Sequence, residues 1–359
     1  MLKTSITCTI PSRCIAVLLT GALSAASSRT IRAQGASAPR VEIVRHDADR
    51  RVDVLVDGKP FTSYIWPTTI KKPVLYPIRT ASGLVVTRGW PLEPRPGERV
   101  DHPHQVGLWF THEDVNGLDF WNNSTAIPAA RAPRMGTIVQ RAIRGVHSGA
   151  GEGTLDVTTD WVDSHGKALL REDTRFDFGA GPGRRTIDRI TTLTALADTV
   201  RFNDAKDGML GMRVARSLEQ PADKAEVFTD ASGKATAVPK LDNTGVTGRY
   251  RSSEGLEGDS VWATRGRWVT LEGRVDGRPV TIAMLDHPGN PGFPTYWHAR
   301  GYGLFAANPL GARVFSKGKD SLDLRLPPGQ STTFRYRILI LDGSATPQEM
   351  ERYYQAFVR

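Results

Sequence analysis

Short runs of β-branched and aromatic residues, each closed off by turn formers, recur along this chain and dictate a β fold. Residues 41–45, 51–56, 73–78, 153–162, 168–178, 185–196, 268–275 and 280–285 are such runs. Side chains of these shapes fit a pleated, half-buried surface. Asp57-Gly58, Ser164-His165-Gly166 and Asp276-Gly277 stand among the turns, where residues that tolerate positive φ are favoured. Asp276-Gly277, flanked by Val275 and Arg278, predicts a hairpin with a type I′ turn. Many strands at this spacing predict one all-β domain over 41–359, a sandwich or barrel.

One helix is expected, at the C-terminal end. Thr346-Pro347-Gln348-Glu349 forms a capping box with proline at the first helical position. Met350, Tyr353, Tyr354 and Phe357 then fall on one apolar face, suited to docking on a sheet.

Residues 1–35 read as a secretory leader and its trailing segment. Lys3 and Arg13 precede and flank the apolar run 15–23, and small residues follow. That run is shorter than the roughly 20 residues a bilayer requires, and no later segment reaches that length. An exported protein, periplasmic or extracellular, with no membrane span is therefore expected. Cys8 and Cys14 both lie in the leader, so the processed chain would carry no disulfide and no cysteine nucleophile. Loss of Lys3, Arg13, Arg29 and Arg32 takes the formal charge of +9 down by four, to +5, with no basic block. That distribution argues against a nucleic-acid partner.

Histidine marks where chemistry should lie, because it titrates near neutrality and binds metals readily. The chain has eight histidines, and three of them, His102, His104 and His112, fall within residues 101–114. Pro103 and Gly107 interrupt regular pairing, so His102 and His104 are expected on a loop that leads into a strand. His112 shares parity with Leu108 and Phe110, and Glu113 sits at the strand exit. Histidines beside a carboxylate suit general acid/base chemistry. Three histidines also match the ligand count of a catalytic zinc site. His-x-His alone carries little weight, however, and His112-Glu113 lacks the second histidine of a helical His-Glu-x-x-His signature. No metal ligand is assigned, and the residues imply no particular cofactor.

A second cluster repeats the tripeptide as Asp286-His287-Pro288 and continues through Trp297, His298, Arg300 and Asn308. Its density of proline and glycine predicts a rigid irregular loop. Aromatic rings beside arginine and asparagine suit a hydroxylated ligand. Trp297 has an equally simple reading as core packing. Asn116, Asp119 and Trp121, after the first cluster, and Arg79, after the run 73–78, extend the candidate binding set.

These blocks resemble a bacterial family. The shared elements are Asp-His-Pro-His (101–104), Gly-Leu-Trp-Phe (107–110) and Asn-Gly-x-Asp-Phe-Trp (116–121). Asp-His-Pro-x-Asn-Pro (286–291), Trp-His-x-Arg (297–300) and Ala-Asn-Pro (307–309) follow. Members carry the label "methane oxygenase PmoA family" and are otherwise treated as a domain of unknown function. The oxygenase label conflicts with physics, since that membrane subunit needs spans this chain lacks. The resemblance implies the large antiparallel β-supersandwich of galactose mutarotase-like proteins, which act on or bind carbohydrates. Where relatives have His-His-Arg after Asp-His-Pro, this chain has His104-Gln105-Val106.

The combined expectation is acid/base chemistry (epimerisation, hydrolysis or elimination) on a sugar or sugar derivative, in a cleft formed by the two Asp-His-Pro loops. His104 and His112 are the expected proton-transfer groups, with Glu113, Asp286 and His287 assisting. Arg79, His102, Asn116, Trp121, Trp297, His298, Arg300 and Asn308 are the expected ligand contacts. A non-catalytic carbohydrate-binding protein and a metal-dependent oxidase or hydrolase are the rivals. A small molecule or glycan is the expected partner, and the oligomeric state is open.

Overall fold

Alternate burial along the strands builds a layered fold. In the run 168–178, Leu170, Glu172, Thr174, Phe176 and Phe178 turn inward while the residues between them are exposed or half-buried. A computed structural model of the chain describes residues 38–230, 232, 234–239 and 242–359, together with Thr7. The leader read from residues 1–35 otherwise lies outside the described residues.

In chain order the strands are β1 (Arg40–His46), β2 (Arg51–Val56), β3 (Lys59–Ile65), β4 (Val74–Leu75), β5 (Leu108–His112), β6 (Thr137–Ala150) and β7 (Glu152–Val162). They continue as β8 (Ala168–Gly181), β9 (Arg184–Ala195), β10 (Val200–Phe202), β11 (Gly208–Arg213), β12 (Glu226–Thr229), β13 (Ala235–Val238) and β14 (Arg249–Ser252). The last are β15 (Trp268–Val275), β16 (Arg278–Asp286), β17 (Tyr296–Arg300), β18 (Leu304–Asn308), β19 (Leu324–Leu326) and β20 (Ser331–Asp342). Helices α1 (Ala312–Phe315) and α2 (Pro347–Val358) complete the set used below.

Sixteen of these strands form one antiparallel sheet ordered β14-β15-β16-β20-β9-β8-β7-β6-β1-β2-β3-β4-β5-β11-β18-β17. The β6–β1 junction is thin, with only Arg40↔Ala150 and Val41↔Gly149 paired. The sheet folds over there, so that β5 faces β20 across the core, with Phe110 edge-on to Phe334 at 5.6 Å. This is the expected all-β antiparallel sandwich. The Asp276-Gly277 hairpin joins β15 to β16 with Val275 opposite Arg278. Helix α2 carries its capping box, Thr346 accepting from the Glu349 amide. It seats Met350 and Tyr354 against Trp268, Leu285 and Leu339 on an outer face.

The run 73–78 forms only the two-residue strand β4. Pro73 and Pro77 flank it, and neither can donate to a ladder. Strands β5, β11, β18 and β17 lie side by side at one end of the sheet order. Arg213, Leu304, His298 and Arg300 belong to this quartet, and the loop 99–107 leads into it.

Candidate functional site

The loop that carries His102 and His104 is fixed by two buried arginines. Arg88, 1% exposed, donates to the carbonyls of Asp101 (3.0 Å), His102 (3.1 Å) and Gln105 (3.0 Å) and to the Asp101 carboxylate. Arg213, at the end of β11, meets both Asp101 oxygens at 2.7 and 3.0 Å and Gln105 Oε1 at 2.5 Å. Burial pushes the Asp101 carboxyl up, but His102, Arg213 and Arg88 outweigh it and hold it well below the usual carboxylate range. Burial and the like charge of Arg213 lower Arg88 to about 9. His102 takes a left-handed φ of +45°, its Nδ1 lies 2.9 Å from Asp101 Oδ2, and its ring stacks on Tyr302. Arg213 lies over the same Tyr302 ring at 4.8 Å. The ring of His104 meets that of His102 edge-on at 5.6 Å.

His104 and Lys72 share the wall of a cavity of about 160 Å3, together with Ile70, Leu92, Val106 and Asn123. Lys72 is only 4% exposed. Its Nζ donates to the Trp121 carbonyl at 2.9 Å and sits 5.8 Å from the Trp109 ring centre. Burial lowers the amine to about 7, with Asp119 pulling the other way. His104 is lowered to about 2 by burial, then by the charges of Lys72, His102, Arg88 and Arg213. It is therefore neutral at physiological pH, and its buried Nε2 has no hydrogen-bond partner. The sequence reading missed Lys72, Arg88, Asp207 and Tyr302. Lys72 follows Lys71 in a stretch with no histidine or carboxylate beside it, so only tertiary burial marks it.

Carboxylates gather beyond this cavity. Glu113 is raised by burial and then by Asp207, whose amide donates to Glu113 Oε2 at 3.3 Å. Asp207 is itself raised by burial, with Asp119 adding to the shift. His298, 3% exposed, places Nδ1 3.3 Å from Asp207 Oδ1 and 3.2 Å from the Lys206 carbonyl. Burial and the neighbouring cations Lys206 and Arg300 lower it to about 3. Arg300 lies over Trp262 at 5.3 Å and near Tyr302 at 5.9 Å. Among the described residues no three His, Asp or Glu side chains converge as metal ligands.

Other expected site residues have different roles. His112 is fully buried on the core face with Phe110 and Phe202, its Nε2 2.7 Å from the Asn203 carbonyl. The parity shared with Leu108 and Phe110 thus turns its ring into the core. Trp297 is also fully buried, donating to the Gly266 carbonyl at 3.0 Å and packing on Phe305. Trp121 is buried edge-on against Trp109 at 5.1 Å. Asn308 spends its amide on the Ala205 and Lys206 carbonyls, both at 2.8 Å. Asn116, at φ +53°, braces a turn through the Arg201 amide and the Thr199 carbonyl.

The second Asp-His-Pro loop does not share the partners of the first. Asp286 accepts from Asn290 at 2.7 Å and from the Thr295 amide at 2.8 Å, which ties off the loop 286–295. Burial raises it to about 7. His287 packs edge-on against Phe357 of α2 at 5.4 Å. Arg79 lines a different groove, with no lining residue in common with the Lys72 cavity. Contacts therefore join Asp101, His102, His104 and Tyr302, with Lys72 beside His104 in the cavity wall and Arg300 near Tyr302. His298 pairs with Asp207, while Glu113 and Arg300 line grooves with no lining residue in common with the Lys72 cavity.

No curated protein matches this sequence. Among solved structures, the α-galactosidase of Lactobacillus brevis is 10% identical with a TM-score of 0.36, covering 88% of this chain and 41% of its own. The family GH36 α-galactosidase AgaB of Geobacillus stearothermophilus is 8% identical with a TM-score of 0.34, covering 84% of this chain and 41% of its own. The Slr1438 protein of Synechocystis is 9% identical with a TM-score of 0.30, covering 84% of this chain and 96% of its own. The chain thus spans about two fifths of the length of these galactosidases. The PmoA label, which the lack of a long apolar segment already opposed, does not appear among these matches. Residues 51–355 match the model of a family of unknown function (DUF6807), and the chain belongs to that family.

Proposed function

We propose that this is an exported carbohydrate-directed enzyme that performs acid/base chemistry on a sugar or sugar derivative, with Lys72 as the proton-transfer group. The observation that carries the reading is the Lys72 amine, buried beside His104 in the wall of a cavity of about 160 Å3. A cavity of roughly this volume holds a benzene-sized ring. Its walls combine apolar Ile70, Leu92 and Val106 with the polar residues Lys72, His104 and Asn123, the mixture that suits a pyranose with apolar faces and hydroxyl edges.

An amine poised near pH 7 is matched to general base or acid work at neutral pH. His104, neutral and with Nε2 unpaired, is suited to a hydrogen bond with a ligand hydroxyl rather than to taking a proton. The Arg88–Asp101–Arg213 clamp holds the loop that carries this ring. Such fixed donors and acceptors favour a transition state because they need no reorganisation.

The test is incubation of the purified protein with neutral, acidic and 3-keto hexosides, followed by mass spectrometry. We expect a product whose rate of formation has an apparent pKa near 7, and a loss of about 10²-fold or more in Lys72→Met. Undiminished turnover in that variant would remove Lys72 from the chemistry. Saturable binding without product across the panel would make the protein a carbohydrate-binding one.

A further inference from the structure

We infer that an arginine-rich groove at the β15–β16 hairpin is a second ligand site, built for an anionic polysaccharide that bears carboxylate or sulfate groups. The groove has a volume of about 850 Å3 and is lined by five arginines, Arg79, Arg95, Arg216, Arg274 and Arg278. Only two carboxylates, Glu98 and Asp276, line it with them. Glu98 is buried, accepts from the Gly89 and Trp90 amides and lies 3.6 Å from Arg95. Arg216 is taken by Glu219 at 2.7 Å.

Arg79, Arg274 and Arg278 form no ion pair within 4.0 Å with any carboxylate among the described residues. Arg79 reaches only the Gly83 carbonyl (3.4 Å) and Arg274 only the Gly277 carbonyl (2.8 Å). A guanidinium has five donors, so most of theirs have no partner within the protein among the described residues. Like charges gathered in excess of their counter-charges raise the local potential and favour an anion. Planar guanidinium forks match carboxylate and sulfate oxygens in a bidentate manner.

The groove also discriminates between polyanions. None of its lining residues is aromatic, whereas proteins that bind single-stranded nucleic acid stack bases on aromatic rings. Ser217 and Thr244 line it instead, and hydroxyls of this kind bond sugar hydroxyls equally well as donor or acceptor. A charged glycan, rather than a nucleic acid, meets both features. The inference goes beyond the Lys72 site and does not depend on it.

Titration calorimetry of the full chain at low salt tests the site, with oligogalacturonate, a heparin oligosaccharide, a neutral glucan oligomer and single-stranded DNA as probes. We expect one of the two anionic glycans to bind, the neutral glucan not to bind, and DNA to bind more weakly than the glycan. The exposed pair Arg274→Glu/Arg278→Glu should weaken glycan binding by about tenfold or more, as loss of charged hydrogen bonds predicts. Lys72→Met should bind the glycan unchanged, which separates this site from the cavity. Binding of neither anionic glycan, equal binding of the neutral glucan, DNA binding as tight as the glycan, or an unaffected double variant would each overturn the assignment.

Discussion

The imidazole of His102 lies flat on the ring of Tyr302, with planes 2° apart and centroids separated by 5.2 Å. His102 needs such support, because its φ of +45° belongs to a region that residues with a Cβ adopt only when their surroundings impose it. The Asp101 carboxylate holds one edge of the ring and Tyr302 supplies the face.

Replacing Tyr302 should therefore free the His102 ring without unfolding the protein. In NMR spectra the His102 ring protons should show a ring-current shift that persists in Tyr302→Phe and collapses in Tyr302→Leu. Stacked pairs of this kind are worth about 1 kcal/mol, so ligand affinity should fall by a corresponding several-fold in the leucine variant alone. An unchanged His102 resonance in Tyr302→Leu would show that Asp101 suffices.

Asp101 carries a larger share of stability. It is the carboxylate between Arg88 and Arg213, which are 1% and 0% exposed. Asp101→Asn keeps the shape but strands two buried guanidiniums, and removal of one partner from a buried pair costs about 3 kcal/mol or more. The folded-state carboxyl lies below its unfolded value, so its contribution is full above the unfolded pKa of about 4 and is lost as pH falls towards the folded value. Denaturant unfolding should thus separate wild type from variant widely at pH 7 and less in strong acid. A gap that is constant with pH would contradict the clamp.

His112 tests the distinction between core and cleft. Its ring is fully buried, and its Nε2 donates to the Asn203 carbonyl at 2.7 Å. His112→Ala removes both packing and that bond, with an expected loss of about 2–4 kcal/mol. Turnover per folded molecule should be unchanged. Burial lowers the folded-state pKa of His112, so its neutral form contributes stability that is lost as pH falls below about 6.5, the unfolded value. A variant that folds as well as wild type but turns over no substrate would return His112 to the site.

The β architecture was legible wherever one face of a strand meets solvent. In β8, buried Leu170, Phe176 and Phe178 stand between polar Arg171, Arg175 and Asp177, and in β9 Ile187 and Leu193 keep the same period, although Glu172, Thr174, Arg185, Arg189 and Thr191 also turn inward. The strands that bear the site read differently. Every residue of β5, β11 and β18 is buried, so no alternation survives to mark a strand. Two glycines in β11 obscure it further, and Gly211 is required there because a Cβ would fall 2.5 Å from the Trp109 ring. His102 and His104 were found because composition concentrates them on one loop. Lys72 and Asp207 were not, because their unusual character comes from burial by distant segments. The repeated Asp-His-Pro misled for a related reason: the tripeptide ties off a loop at Asp286, where Asn290 and Thr295 use both carboxylate oxygens. At Asp101 the same oxygens face two arginines.

Lys72 links stability to function with a sign that can be measured. Its amine falls from 10.5 in the unfolded chain to about 7 in the fold. Between those values the unfolded state binds more protons, so stability rises with pH across that window. Below pH 7 both states are protonated and the penalty for burying the charge is complete, roughly 5 kcal/mol from the size of the shift. Lys72→Met keeps an unbranched chain of similar length and discards the charge. Loss of the bond to the Trp121 carbonyl offsets part of the gain, by about 1 kcal/mol. The variant should therefore be several kcal/mol more stable than wild type at pH 6, with the advantage shrinking towards zero by pH 10, while turnover is lost. Such an exchange of stability for a poised group is the usual mark of a reactive site. Denaturant midpoints at pH 6, 8 and 10 for both proteins decide it, and a difference that does not change with pH would mean that Lys72 is not held near neutrality.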